Sequence, residues 1–382
     1  MKYILLFVFT FLLSAASAQD LSFGRKMVDT LTSPYFWGRG YTNEGMTKAA
    51  AYLSALFEDY GLKPMSGKSF FQEFAYPVNT FPGDMQLTIN GKTLNPGEDF
   101  ITNPSSSGFK GRGKLVMKDS TRFTGAGKKI VVKLVDKLTW SVSQKVSDSC
   151  LVIIDKKKIS FPPAVFSANI DNKLLKSFKA RNICAMVRGT RMPDSILLIT
   201  AHYDHLGGMG RDTYFPGAND NASGIALLMN LARYYAQHPQ PYSIGFICFA
   251  GEEAGLIGSR YFTMNPLVPL EKIRFLINTD LAGTGEEGIT VVNATEYPLE
   301  FEMMKSINEE SKLLYKIYPR GKAANSDHYF FSEKGVPAFF FYTMGGTKAY
   351  HDVFDRAETL PLNEHEDLFT LIVQFNNKLM GN

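Results

Sequence analysis

The chain has 382 residues, with 41 basic and 37 acidic side chains and a formal charge of +4. The basic residues form no long block, which argues against nucleic acid or an anionic membrane as the main partner. The length suits one large α/β domain plus an inserted piece. Cys150, Cys184 and Cys248 are odd in number, and Cys184 and Cys248 lie in apolar runs, so they read as core thiols rather than a disulfide framework.

Lys2 is followed by a stretch from Tyr3 to Leu13 that is apolar except for Thr10, and then by Ser14-Ala15-Ala16-Ser17-Ala18-Gln19. That is the pattern of a secretory signal peptide over residues 1–18, cut near Ala18. The apolar core is short for a membrane span, and no cysteine follows to take a lipid. The expectation is an exported chain, periplasmic or secreted, without stable membrane insertion. From Thr42 to Gly61, Met46, Ala49, Ala50, Leu53, Leu56 and Phe57 recur at helical spacing before a Gly61-Leu62-Lys63-Pro64 stop. Between residues 81 and 180 the texture changes. Short β-prone runs (Met85 to Ile89, Lys129 to Val135, Cys150 to Ile154) alternate with turns such as Asn90-Gly91 and Pro96-Gly97, which predicts a β-rich insert between a main domain's two parts, 19–80 and 181–382.

From Asn182 onward, apolar strands alternate with helical stretches. Strands are expected over Ile196 to Ala201, Ser243 to Phe249, Ile273 to Thr279 and Val336 to Tyr342, with helices near Ser223 to Ala236, Pro298 to Leu313 and Leu362 to Leu379. This is the βαβ rhythm of an α/β fold. Ile225, Leu228, Met229, Ala232 and Tyr235 make the packing stripe of the first of these helices.

Chemistry gathers where those strands end. His202 ends one strand, Glu252-Glu253 follow the next, Asp280 follows the third and His351 lies past the fourth, with Asp220 in an Asn219-Asp220-Asn221 loop. Open α/β sheets place their sites at such ends. Any one of these residues alone has a plain structural explanation: a satisfied core histidine, a helix N-cap at Asp220, or a solvated turn at Glu252-Glu253. Together they supply imidazole and carboxylate, the ligand set of open catalytic metal sites, with no thiolate among them. The spacing His-x-Asp lets the Asp204 carboxylate accept the other ring N–H of His202 and fix its tautomer. Adjacent Glu252 and Glu253 point different ways, so one can bind metal while the other handles a proton. His205, His238, His328 and His365 are read as structural, with His205 a competitor of His202.

The motifs Thr200-Ala201-His202-Tyr203-Asp204, Gly217-Ala218-Asn219-Asp220-Asn221-Ala222-Ser223-Gly224, Gly251-Glu252-Glu253-Ala254-Gly255-Leu256-Ile257-Gly258-Ser259, Asn278-Thr279-Asp280 and Tyr350-His351-Asp352 resemble, in order, the co-catalytic two-zinc metallo-aminopeptidases of the bacterial secreted leucine-aminopeptidase type. The likeness covers about residues 24–74 and 182 to the end. It implies a mixed central β-sheet sandwiched by helices and two Zn2+ ions. Carried over by position, His202 and Asp280 hold one zinc, Glu253 and His351 the other, and Asp220 bridges both. Glu252 becomes the general base toward a metal-bridging water, Tyr350 a hydroxyl donor to the developing oxyanion, and Asp327 a further position in the site wall. Leu281 stands where the family often has methionine. The insert occupies the place where many relatives carry a protease-associated domain.

The resulting expectation is an aminopeptidase acting on peptides with a free N-terminus. The alternatives are a carboxypeptidase, a dipeptidase or a glutaminyl cyclase of the same fold, and, from another class, a catalytically silent binding ectodomain. The complete ligand set argues against the last two. The sequence assigns neither an oligomeric state nor a substrate side chain.

Overall fold

The computed structural model describes residues 21–381, so the leader expected over residues 1–18 lies outside the described residues. The frame is a nine-stranded mixed sheet. At its centre Tyr242–Phe249, Met192–His202, Ile273–Thr279 and Ala338–Thr343 lie side by side in that order and run parallel. On one flank Lys173–Val187 pairs antiparallel with Tyr242–Phe249 and also carries Lys63–Pro64 and Phe71–Thr80. On the other flank Ile289–Val292 runs antiparallel to Ala338–Thr343, with Ile317–Pro319 beside it.

The apolar runs that made these segments legible as strands bury both faces. Leu197, Ile199 and Ala201 face one core with Ile244, Phe246, Cys248, Phe275 and Ile277, whereas Leu198, Ile247, Phe249 and Leu276 face the other. A two-residue period with apolar side chains on both sides belongs to a sheet covered twice. The larger core is closed by helices Leu21–Leu31, Gly45–Asp59, Gly224–Gln237, Pro298–Ser311 and His365–Leu379, and the smaller one by Ile257–Met264 and His328–Glu333. Each fully buried Leu or Phe in these layers is worth roughly 1.5–3 kcal/mol over the exposed state, so the central strand ends are rigid platforms. Helix Gly224–Gln237 buries more than its predicted stripe. Ala226, Leu227 and Leu231 are also fully enclosed, because helices Leu21–Leu31 and His365–Leu379 pack against it.

The β-rich segment forms two small sheets. One orders Phe100–Thr102, Cys150–Asp155, Ile130–Val135, Arg122–Gly125 and Val116–Met117, and the other Lys92–Leu94, Met85–Ile89, Val165–Ile170 and Phe109–Lys114. They share an apolar core of their own that includes Phe100, Phe123, Ile130, Val152 and Phe166. Residues 173–180, placed in the insert by sequence texture, instead form the first half of a strand paired with Phe71–Thr80 in the main sheet. Leu206, Met209, Phe215 and Val353 from the main domain complete the insert's core, so the two parts are packed through the loops beside the site. Cys150, Cys184 and Cys248 are free and buried. Burial pushes the Cys150 thiol up to about 12. Among the described residues, no helix is long and apolar enough to cross a membrane.

Candidate metal centre

Because the four central strands are parallel, their carboxyl ends share one edge of the sheet, and the loops that follow them converge there. His202 Nε2 lies 3.2 Å from Asp280 Oδ1 and 3.4 Å from Asp220 Oδ1. His351 Nε2 lies 3.1 Å from both Asp220 Oδ2 and Glu253 Oε2. Asp220 therefore turns one oxygen to each histidine, and two triads of donor atoms share this one carboxylate.

The spacing decides what the triads can hold. Donors at about 2.0–2.1 Å from a tetrahedral zinc sit about 3.3 Å from each other. The four separations of 3.1–3.4 Å match that edge length, and they are longer than a strong charge-assisted hydrogen bond of about 2.7–2.9 Å. His202 Nε2 and Asp280 Oδ1 are buried without a hydrogen-bond partner, as expected of atoms reserved for a cation. Burial opposes protonation of His351, yet the neighbouring Glu253 and Asp220 carboxylates together outweigh it and push the imidazole up to about 11. The same contest, with Asp280 and Glu252 as the main acids, raises His202. The cluster thus draws positive charge inward, and divalent cations meet that demand.

Both histidine rings are oriented by backbone carbonyls. His202 Nδ1 lies 3.1 Å from the carbonyl of Asp204, and His351 Nδ1 lies 2.8 Å from that of Trp140. A carbonyl only accepts, so each Nδ1–H donates and each Nε2 keeps its lone pair for metal. This corrects the expectation for Asp204. Its carboxylate, 3.8 Å from His202 Nδ1, instead accepts the backbone N–H groups of Glu252 and Glu253 at 3.2 and 3.4 Å and shapes their turn. Burial, with Glu253 among the acids nearby, raises Asp204 to about 7 against the pull of His202.

Glu252 and Glu253 do diverge. Glu253 turns to His351, while Glu252 brings a carboxylate oxygen within 4.8 Å of the ligand atoms of His202 and Asp280. Burial, reinforced by Asp280, Asp327 and Glu253, lifts the Glu252 carboxyl well above the usual range, although His202 opposes the shift. His205 also lies among possible donors, with Asp220 and Glu253. Its Nδ1 is 2.7 Å from Glu253 Oε1, a hydrogen-bond distance too short for two donors sharing a zinc, and 3.9 Å from Asp220 Oδ1. His205 thus orients Glu253 and does not compete with His202.

Four further supports escaped the sequence reading. Asp280 Oδ2 accepts from Ser326 Oγ at 3.2 Å, in a relay running back through Asn278 to Thr200, which leaves Oδ1 for a cation. Asp355 accepts the N–H groups of Asn219 and Asp220 at 2.8 and 3.0 Å. Arg39, fully buried, donates to the carbonyls of Leu31, Tyr203, Pro216, Gly217 and Asp220. The Asp220 peptide unit is thus gripped at its N–H by Asp355 and at its carbonyl by Arg39. Trp140 is the fourth: besides accepting from His351 Nδ1, its N–H donates to the His351 carbonyl at 2.8 Å. That pair pins His351 at φ +53°, a left-handed conformation costly for a residue with a Cβ.

A cavity of about 330 Å³ opens over the cluster, with Asp220, Glu252, Asp280 and His351 at its base. Tyr350 lines it too, half-exposed, its ring stacked on His351 with centroids 4.0 Å apart. Burial, with Asp220 and Glu253 close by, raises the Tyr350 phenol, so it stays a protonated donor. Asp327, expected in the wall, is fully buried and outside the cavity lining. Its carboxyl, raised by burial to about 7, acts on His202 and Asp280 through its field.

Comparison with known proteins bears on the family and the fold. The family described as Peptidase family M28 matches residues 182–375. Aminopeptidase YwaD of Bacillus subtilis (strain 168) is 27% identical over 187 residues, 48% of this chain and 38% of that protein. A probable zinc metalloprotease of Pyricularia oryzae is 36% identical over 114 residues, 29% of this chain and 23% of that protein. The matched stretch is thus well under half the length of these curated relatives. Among solved structures, an aminopeptidase from Aneurinibacillus sp. strain AM-1 superposes with TM-score 0.66 at 18% identity, and a zinc aminopeptidase from Bacillus subtilis with TM-score 0.69 at 17% identity, each covering 94% of both chains. At that identity the likeness is one of fold.

Proposed function

The chain belongs to peptidase family M28, and from that membership and the paired donor triads we propose a zinc-dependent aminopeptidase that binds two ions and removes the N-terminal residue of peptides. The observation that carries the reading is the division of Asp220, one oxygen toward His202 and Asp280, the other toward His351 and Glu253. Zinc held there supplies Lewis acidity toward a carbonyl oxygen and a water acidic enough to ionise near neutral pH.

The chain's own groups carry the proton work. Glu252, held near the donor cluster by the Asp204-braced turn, takes a proton from the attacking water as the water oxygen bonds to the scissile carbonyl carbon. When the C–N bond breaks, Glu252 returns that proton to the leaving amine. Its raised affinity for a proton suits a group that must hold one between those two events. The Tyr350 hydroxyl donates to the oxygen that gains charge, a contribution of about 2.7–4 kcal/mol for a comparable donor.

Glu252→Gln tests the assignment. It should retain the parent's zinc content while turnover falls about 10²- to 10⁴-fold. Parent-level turnover in that variant would remove Glu252 from the proposed role. Peptides with free and blocked amino termini, with products read by mass, test the direction of attack. Trimming of free amines alone supports the aminopeptidase, whereas release from the carboxyl end supports a carboxypeptidase.

A further inference from the structure

The wall of the metal cavity has a chemistry distinct from its base. Three of the base residues, Asp220, Glu252 and Asp280, are acids, whereas the wall presents Arg320, Asn325 and Tyr342 beside the apolar Leu281 and Phe340. Arg320 is the one arginine or lysine among the described residues lining the cavity. Its backbone is fixed on both sides, with its N–H donating to the Val291 carbonyl and its own carbonyl accepting from Ala294. One guanidinium nitrogen donates to the Tyr342 hydroxyl at 3.1 Å. That contact occupies one of five N–H donors and uses the phenol as an acceptor, which leaves the Tyr342 proton free to donate onward.

Charge matching indicates what this wall is for. Among the described residues Arg320 forms no ion pair with the acids of the cluster, and its one side-chain hydrogen bond runs to a neutral phenol, so its charge faces the cavity uncommitted. A guanidinium bonded to a phenol, with an amide in the same cavity lining, is a donor set for a planar carboxylate.

We propose that Arg320, with Tyr342 bonded to it and Asn325 in the same lining, forms a carboxylate-binding subsite of the cavity and makes carboxylate-bearing short peptides the preferred substrates. The inference rests on the peptidase reading above. The carboxylate is either the carboxyl terminus of a di- or tripeptide or the side chain of an N-terminal Asp or Glu.

Steady-state hydrolysis of three zinc-enzyme substrates separates the cases: Leu-Gly-amide without a carboxylate, Leu-Gly with a free carboxyl terminus, and Glu-Gly-amide with an acidic side chain. For the parent, one of the two carboxylate-bearing peptides should exceed Leu-Gly-amide in kcat/KM by about tenfold or more, the scale of one exposed charge-assisted contact, with the difference in KM. Which of the two is favoured identifies the source. Arg320→Gln should abolish the preference and leave kcat on Leu-Gly-amide unchanged, and Arg320→Lys should restore part of it. Calorimetric binding to the Glu252→Gln background, comparing Leu-Gly with its amide and Glu-Gly-amide with Leu-Gly-amide, should show the same discrimination without turnover. Equal constants for all three peptides, or a preference that survives Arg320→Gln, overturns the subsite and leaves the peptidase reading intact. No turnover of any of the three by the parent overturns both.

Discussion

Replacing Arg39 by methionine probes the geometry of the centre without touching a donor atom. Arg39 has no accessible surface, and its five donor contacts, 2.7 to 3.2 Å long, run to carbonyls on three separate segments. One segment carries Tyr203, next to His202, and another carries Pro216, Gly217 and Asp220. Burial lowers the guanidinium to about 10, held there by Asp220, Asp355 and Asp204, so it stays charged at neutral pH. Methionine fills the volume but deprives five buried carbonyls of this donor, of which the Gly217 carbonyl keeps a bond from the Ala222 N–H, and removes the cation that faces those acids. Breaking a buried ionic arrangement from one side costs about 3–5 kcal/mol. At this chain length that corresponds to a midpoint lowered by about 4–7 °C in thermal unfolding. The folded fraction should also bind less zinc, because the distance between the His202 strand end and the Asp220 loop is no longer fixed. Arg39→Lys should fall between parent and Arg39→Met, since an ammonium keeps the charge but cannot reach five acceptors in a plane. An unchanged midpoint together with parent-level zinc by elemental analysis would refute the bracing role.

Asp220→Ala should lower zinc stoichiometry below the parent's, because it removes one donor from each triad; unchanged metal content would show the shared-carboxylate assignment to be misplaced. His205→Gln should weaken the affinity of the Glu253 side by about 10- to 100-fold in a chelator competition while sparing the His202 side, and equal loss at both sides would count against a positioning role for His205. His365 has its pKa lowered to about 4 by burial, with Arg25 adding to the effect. The unfolded chain therefore takes up this proton first as pH falls, and the stability present above about pH 6.5 is lost between pH 6.5 and 4. That amounts to about 3 kcal/mol in all, with about 2 kcal/mol gone by pH 5. His365→Gln should lose that much less than the parent when urea denaturation at pH 7.5 and pH 5 is compared, and identical losses would remove His365 as the source.

The strand ends were legible in the sequence because two independent signals coincide there: a continuous apolar run, and a polar residue placed just past it. Ile273–Thr279 followed by Asp280 is the clearest case, with the strand bounds observed as expected. The supports around the donors were not legible, since they rest on contacts between distant segments. Nothing local distinguishes Arg39 from a surface arginine, and Asp355 looks like an ordinary loop acid until its carboxylate is seen on the backbone of Asp220. The His202 tautomer shows a different limit. The His-x-Asp spacing did bring Asp204 to the ring, but the group that reaches Nδ1 is the main-chain carbonyl, which every residue type carries. Identity at that position is set instead by the carboxylate's grip on the Glu252-Glu253 turn. His205 left a trace, three residues beyond His202 in His-Tyr-Asp-His, although spacing alone could not tell a ligand from a ligand's partner.

The insert takes part in the centre and is more than a covering. Trp140 closes a reciprocal pair of hydrogen bonds with His351 while its indole N–H donates to Thr102 inside the insert and its ring stacks on Phe215 of the main domain at 4.6 Å. From the same segment, Lys137 reaches the Lys348 carbonyl and Asp352, and Gln144 holds the Ala254 carbonyl next to Glu253. The two loops that present His351 and Glu253 to one triad are therefore both tied to residues 137–144, whereas the His202 and Asp280 side is braced from the main sheet through Asn278 and Ser326. It follows that loosening the insert acts first on the His351–Glu253 side. The two halves of the centre, although they share Asp220, draw their rigidity from different parts of the fold, and they should lose metal in that order as the insert is destabilised.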